Sequence, residues 1–102
     1  MTTDLDINDL DDGIIGAVLA LRREGIDTFS SCQGGRGHQS ELPTIWFYGD
    51  EREGFKAESV ATEAGYQVYH VARFWYTRQG VRNGPYWEIA FVPGASNRRE
   101  KP

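Results

Sequence analysis

The sequence predicts one α+β domain in the order α-β-β-α-β-β, a mixed four-stranded sheet with two helices on one face. Three observations carry that expectation. Residues 10–24 repeat their apolar side chains at helical spacing. Residues 68–77 and 86–92 are β-branched and aromatic, with turn chemistry between them. A short apolar run, Thr44 to Tyr48, stands apart from both.

In the first helix, about 10–24, Leu10, Ile14, Val18 and Leu21 form one stripe, widened by Ile15 and Leu19. Asp9 suits the N-cap, and Asp11 and Asp12 suit the positive end of the dipole. Arg22 and Arg23 fit the last turn and Gly25 the left-handed stop. Ile26 to Ser31 then reads as a short strand. Residues 33–43 are aperiodic and end at Pro43, a connection long enough to suggest function. Thr44-Ile45-Trp46-Phe47-Tyr48 is continuously apolar, as a strand buried on both faces would be.

Asp50 and Glu53 resemble a capping box for a second helix that buries Ala57, Val60, Ala61 and Ala64 and stops at Gly65. Gly54 inside it costs about 1 kcal/mol against alanine. In the third strand Val68, Ala72, Phe74 and Tyr76 share one face, and Tyr69, Val71, Trp75 and Thr77 the other. Gln79-Gly80 and Asn83-Gly84-Pro85 read as turns. The fourth strand, Tyr86 to Val92, puts Trp87, Ile89 and Phe91 on one side. The last two strands form an antiparallel hairpin. The second strand, second helix and third strand suit a parallel crossover. Strand order stays open.

At 102 residues the chain fits one core. With 39% hydrophobic and 25% charged residues, it reads as globular and soluble. The net charge of −4 is uneven. An acidic arm, residues 1–8, runs into further aspartates at Asp9, Asp11 and Asp12. Residues 9–94 form the domain, and residues 95–102 a flexible basic tail, which leaves the body near neutral. Nothing resembles the basic stripe that duplex DNA needs, so no duplex partner is expected. No apolar run approaches the roughly 20 residues of a membrane span, so no membrane partner is expected either. The acidic start is unlike a targeting peptide. The single cysteine excludes an intramolecular disulfide, and the expected location is cytoplasmic.

The richest chemistry lies in Ser30-Ser31-Cys32-Gln33-Gly34-Gly35-Arg36-Gly37-His38, which gathers hydroxyl, thiol, guanidinium and imidazole around three glycines. Amides of Gly34, Gly35 and Gly37 suit an anion nest, Arg36 a carboxylate or phosphate clamp, and Ser30, Ser31 and His38 a role in orienting the ligand. The whole stretch, Ser30 to His38, is the expected binding site for a small anionic or nucleotide-like molecule. Against this stands a flexible glycine turn with solvated side chains. Cys32 and His38 are the candidate catalytic pair, although a lone cysteine at a strand end is more often a small buried hydrophobe. Cys32, His38 and His70, with Glu88 or Glu41, do not have the spacing of a metal site, and no metal or other cofactor is assigned.

The hairpin interleaves Tyr69, Arg73, Trp75, Arg78, Arg82, Tyr86 and Trp87. Such a sheet can stack single-stranded bases or anchor a protein partner; ordinary strand packing also explains it. By alternation, His70 and Arg73 lie on opposite faces. A protein-interaction module, such as a phage or mobile-element inhibitor acting through the acidic arm or the hairpin, is the alternative function. Oligomeric state is left open.

The run from Leu10-Asp11-Asp12-Gly13-Ile14 through Gly25-Ile26-Asp27-Thr28-Phe29-Ser30-Ser31-Cys32-Gln33-Gly34 resembles the opening motif of the tRNA wybutosine-synthesising protein 3 family, S-adenosylmethionine-dependent methyltransferases. Ser30, Ser31, Cys32 and Gly34 match it. Gln33 replaces its serine, and Gly35 stands where its arginine falls. The chain is also similar to small uncharacterised bacterial and phage proteins with a Thr-x-x-Ser-Cys-x-Gly-Gly-x-Gly-His loop. The resemblance implies a site at this loop and no particular activity.

Overall fold

The computed structural model describes residues 12–35 and 41–92. The expected acidic arm, the Asp9 and Asp11 cap, the basic tail, and Arg36, Gly37 and His38 lie outside the described residues. The elements are α1 (Asp12–Arg23), β1 (Asp27–Cys32), β2 (Thr44–Tyr48), α2 (Glu53–Glu63), β3 (Val68–Arg78) and β4 (Val81–Phe91). This is the expected α+β order.

α1 buries Ile14, Ala17, Val18 and Leu21 but leaves Leu19 exposed, so its stripe is narrower than the sequence suggested. Both helices stop in the same way. The Ile26 N–H reaches the Leu21 carbonyl and the Gly25 N–H reaches that of Arg22. Tyr66 and Gly65 repeat the pattern on Ala61 and Thr62. These are Schellman closures, and they need the positive φ at Gly25 and Gly65. In each case the next residue, Ile26 or Tyr66, turns into the core.

The sheet order is β1-β2-β4-β3, and every hydrogen-bonded pair among these strands is antiparallel. The expected mixed sheet is therefore corrected. β2 and β3 do point the same way, as the α2 crossover suggested, but β4 returns between them and takes the hydrogen bonds of both. A split crossover of this kind gives an antiparallel ladder throughout.

Both helices cover one face, as expected. Ile14, Val18 and Leu21 of α1 and Ala57 and Ala61 of α2 pack with Ile45, Phe47, Ile89 and Phe91 of the sheet. The small residues of α2 let it lie close, and Gly54 explains itself here. A Cβ at Gly54 would collide with the Trp87 indole. The same indole donates to the Asp50 carbonyl at 2.9 Å and carries the Arg73 guanidinium 5.4 Å from its centroid. Arg73 and Trp87 thus anchor the start of α2.

Several local expectations change. Asp50 accepts from the Arg52 amide rather than capping α2 with Glu53, and Ala64 is exposed. β2 buries Ile45 and Phe47 on the helix face; on the other face Thr44 is buried, Trp46 half-buried and Tyr48 exposed. A bulge between Val68 and His70 turns Val68 toward the helices, off the face of Ala72. Gln79 and Gly80, both at positive φ, make the hairpin turn. Asn83-Gly84-Pro85 is not a turn but part of β4, where the ladder slips opposite Trp75. β2 pairs with β4 only from Trp87 onward, so Pro85 lacks no partner on that side.

Candidate functional site

Strand alternation sorts the chemistry onto two faces. The face away from the helices carries successive rows across the strands. Cys32, Thr44, Ala90 and His70 form the row beside the β1–β2 loop, and Ser30, Trp46, Glu88 and Ala72 the next. Beyond them lie Tyr48, Tyr86 and Phe74, then Tyr76 and Arg78 toward the hairpin tip. A bulge between Thr28 and Ser30 adds Phe29 to this face. Phe29, Ser30, Trp46, Tyr48, Phe74, Tyr76, Arg78, Tyr86 and Glu88 line an open groove of about 590 Å³ on this face.

Six aromatic rings border the groove: Phe29, Trp46, Tyr48, Phe74, Tyr76 and Tyr86. Tyr86 is their hub, with centroids of Phe29, Tyr48, Phe74 and Tyr76 at 5.3, 5.7, 5.9 and 6.0 Å. Phe29 also stacks on Tyr48 at 4.4 Å. The Tyr86 phenol is held above its ordinary range, first by partial burial, then by the nearby Tyr76 and Tyr48 phenols and a hydrogen bond with Tyr76. It therefore remains a neutral donor at ordinary pH.

Glu88 is the fixed polar group of this face. The Trp46 indole donates to its Oε1 at 3.0 Å, and His70 Nε2 lies 2.9 Å from its Oε2. Two partners on neighbouring strands thus hold the carboxylate. Arg78 is the cation that lines the groove.

The predicted loop residues separate. Ser30 lines the groove. Ser31 turns to the helix face, where its buried Oγ has no hydrogen-bond partner among the described residues. Cys32 is buried at the strand end. Gln33 leads out of the strand. Gly34 and Gly35 both have positive φ, and the Gly35 amide donates to the Glu41 carbonyl at 3.0 Å. A Cβ on Gly34 would stand 2.7 Å from the Pro43 nitrogen. Closure of the β1–β2 connection thus accounts for glycine at 34. The Cys32–His38 pair cannot be placed, because His38 lies outside the described residues. His70 cannot replace it, being three strand spacings, about 14 Å, from Cys32. Among the described residues no three histidine, cysteine or acidic side chains cluster as metal ligands.

His70 faces this open side and Arg73 the helix side, as alternation required. The hairpin's aromatic and basic set divides accordingly. Tyr86 and Arg78 belong to the groove, whereas Arg73 and Trp87 pack against α2. Sequence reasoning did not single out Phe29, Trp46 or Tyr48. The signal was the period of two in β2, where Trp46 and Tyr48 alternate with the core residues Ile45 and Phe47.

No known family model, curated protein sequence or solved structure matches the chain. Among the described residues no helix is long and apolar enough to cross a membrane.

Proposed function

We propose that this chain is a small cytoplasmic binding domain for an anionic, nucleotide-like ligand, whose planar ring rests on the open face of the sheet. The observation that carries the reading is the groove itself. Its rings offer π-faces, Glu88 accepts hydrogen bonds from a base edge, the Tyr86 phenol donates, and Arg78 pairs with negative charge. Ser30 lines the groove on the strand that leads into the loop, and the sequence of that loop offers Arg36 as a further candidate for pairing the ligand's charge.

Trp46 lies in the groove, so titration with mononucleotides should quench its emission. Native mass spectrometry of protein from its own cells should retain a small molecule. Tyr86→Ala should weaken binding about tenfold or more through lost stacking. Arg78→Ala and Arg36→Ala should each reduce it, and whichever loses more marks the anionic end. Neither quenching nor a retained molecule would sink the proposal.

The second reading is the protein-interaction module of phage or mobile-element type. It is favoured by Phe55 and Trp75, which stand 78% and 59% exposed and outside the groove lining. Capture of a protein partner that Phe55→Ser abolishes and Tyr86→Ala spares would support it.

A further inference from the structure

We infer that the open face and the hairpin arm take a single-stranded nucleic acid, not a lone nucleotide. This rests on the proposed nucleotide-like reading of the groove and extends it along the hairpin. The first ground is charge. The whole chain is acidic, yet residues 64–87 contain no aspartate or glutamate, while Arg78 and Arg82 stand near the hairpin tip. Five of the fifteen acidic residues lie in residues 1–12, and the one that lines the groove, Glu88, is engaged by Trp46 and His70.

The second ground is geometry. The aromatic surface does not end in a closed pocket. It continues from Trp46 and Tyr48 across Tyr86 and Phe74 to Tyr76 and Arg78, toward the turn. Phe74 and Tyr76 stand two residues apart on one strand, roughly 7 Å, so neighbouring bases can each meet a ring. Arg82 lies beside Thr77 on the reverse of the same arm, and Arg78 on the groove side, so cations flank both sides of the hairpin near its tip. Stacking platforms with flanking cations are how sequence-tolerant single-strand binders work. A duplex hides its π-faces within its own stack, and an acidic protein offers charge without rings to stack.

The test is fluorescence anisotropy on the full chain. The probe is a labelled oligouridylate of roughly 12 nucleotides, long enough for one small site. Uridine monophosphate, a duplex of equal length and polyglutamate are the comparisons. If Arg78 and Arg82 each meet a phosphate, raising salt from about 50 to about 300 mM should weaken oligonucleotide binding about 12-fold. With Arg78→Ala and Arg82→Ala combined, the same change should leave the remaining binding nearly unaltered. Both residues are exposed, so circular dichroism should be unchanged. Tyr76→Ala should cost about tenfold or more in affinity.

Tight, salt-sensitive oligonucleotide binding that these variants lose supports the inference. If the mononucleotide binds as well as the oligonucleotide, the inference falls and the groove reading stands. If neither binds, both fall. Equal binding of the duplex or of polyglutamate also overturns it, because charge alone would then explain capture.

Discussion

At residue 54 two rules of helix chemistry oppose each other, and contact decides between them. Alanine is the better helix former by about 1 kcal/mol. Its methyl group would nevertheless enter the Trp87 ring, which is pinned to the Asp50 carbonyl and covered by Arg73. Gly54→Ala should therefore destabilise the fold by about 1–3 kcal/mol, as overpacking does. Urea denaturation checks this; a rise in the midpoint would mean the indole moves aside at little cost. Tyr86 makes a second residue-scale prediction. Its phenol titrates above the usual value near 10, so the folded state holds that proton more tightly than the unfolded chain. Its contribution to stability is complete below pH 10 and is lost as pH rises through the folded value. Thermal melts should hold level below about pH 9 and fall above about pH 10, and Tyr86→Phe should flatten that fall.

At the scale of the element, the hairpin turn shows what glycine does where nothing crowds it. Gln79 and Gly80 have φ of 52° and 80°, and no atom lies within 4 Å of a Cβ built on Gly80. Gly80→Ala should cost about 1–2 kcal/mol from backbone strain alone, measured by denaturation. Gln79→Asn should recover part of that loss, because asparagine accepts the left-handed region more readily. If the alanine variant is as stable as the parent, the turn relaxes to another type. The helix stops at Gly25 and Gly65 were readable in the sequence because their chemistry is local. So was the helix-facing set of Trp87, Ile89 and Phe91, since alternation holds there without interruption. What the sequence hid was placement across strands. Nothing near residues 68–91 says that β4 lies between β2 and β3, and a one-residue bulge at Tyr69 reverses the face of Val68. The same holds for the site. The loop was conspicuous for its composition, yet part of that composition closes a hairpin. The groove was dispersed as Phe29, Trp46, Tyr48 and Tyr86 over three strands, and only pairing gathers it.

For the whole molecule, the covering is lopsided along the sheet as well as across it. The helices and β2 brace the sheet where Ile45, Phe47, Val71, Ile89 and Phe91 meet α1 and α2. β2 pairs with β4 only from Trp87 to Ala90, so the outer half of the β3–β4 hairpin has each strand paired only with the other among the described strands. Trp75, Tyr76 and Val81 in that half are exposed. A two-stranded ribbon alone is marginal in water, so the arm must be the part that opens most readily. Amide hydrogen exchange should be on the order of tenfold or more faster at Thr77, Arg78 and Val81 than at Phe47, Val71 and Ile89. Because Phe74, Tyr76, Tyr86 and Arg78 line the proposed binding surface, an oligonucleotide that occupies it should slow exchange in the arm and leave the braced half unchanged. Uniform protection along the hairpin before addition would mean that the arm is already held. Protection gained only near Gly34 and Gly35 would place the ligand at the loop instead of on the open face.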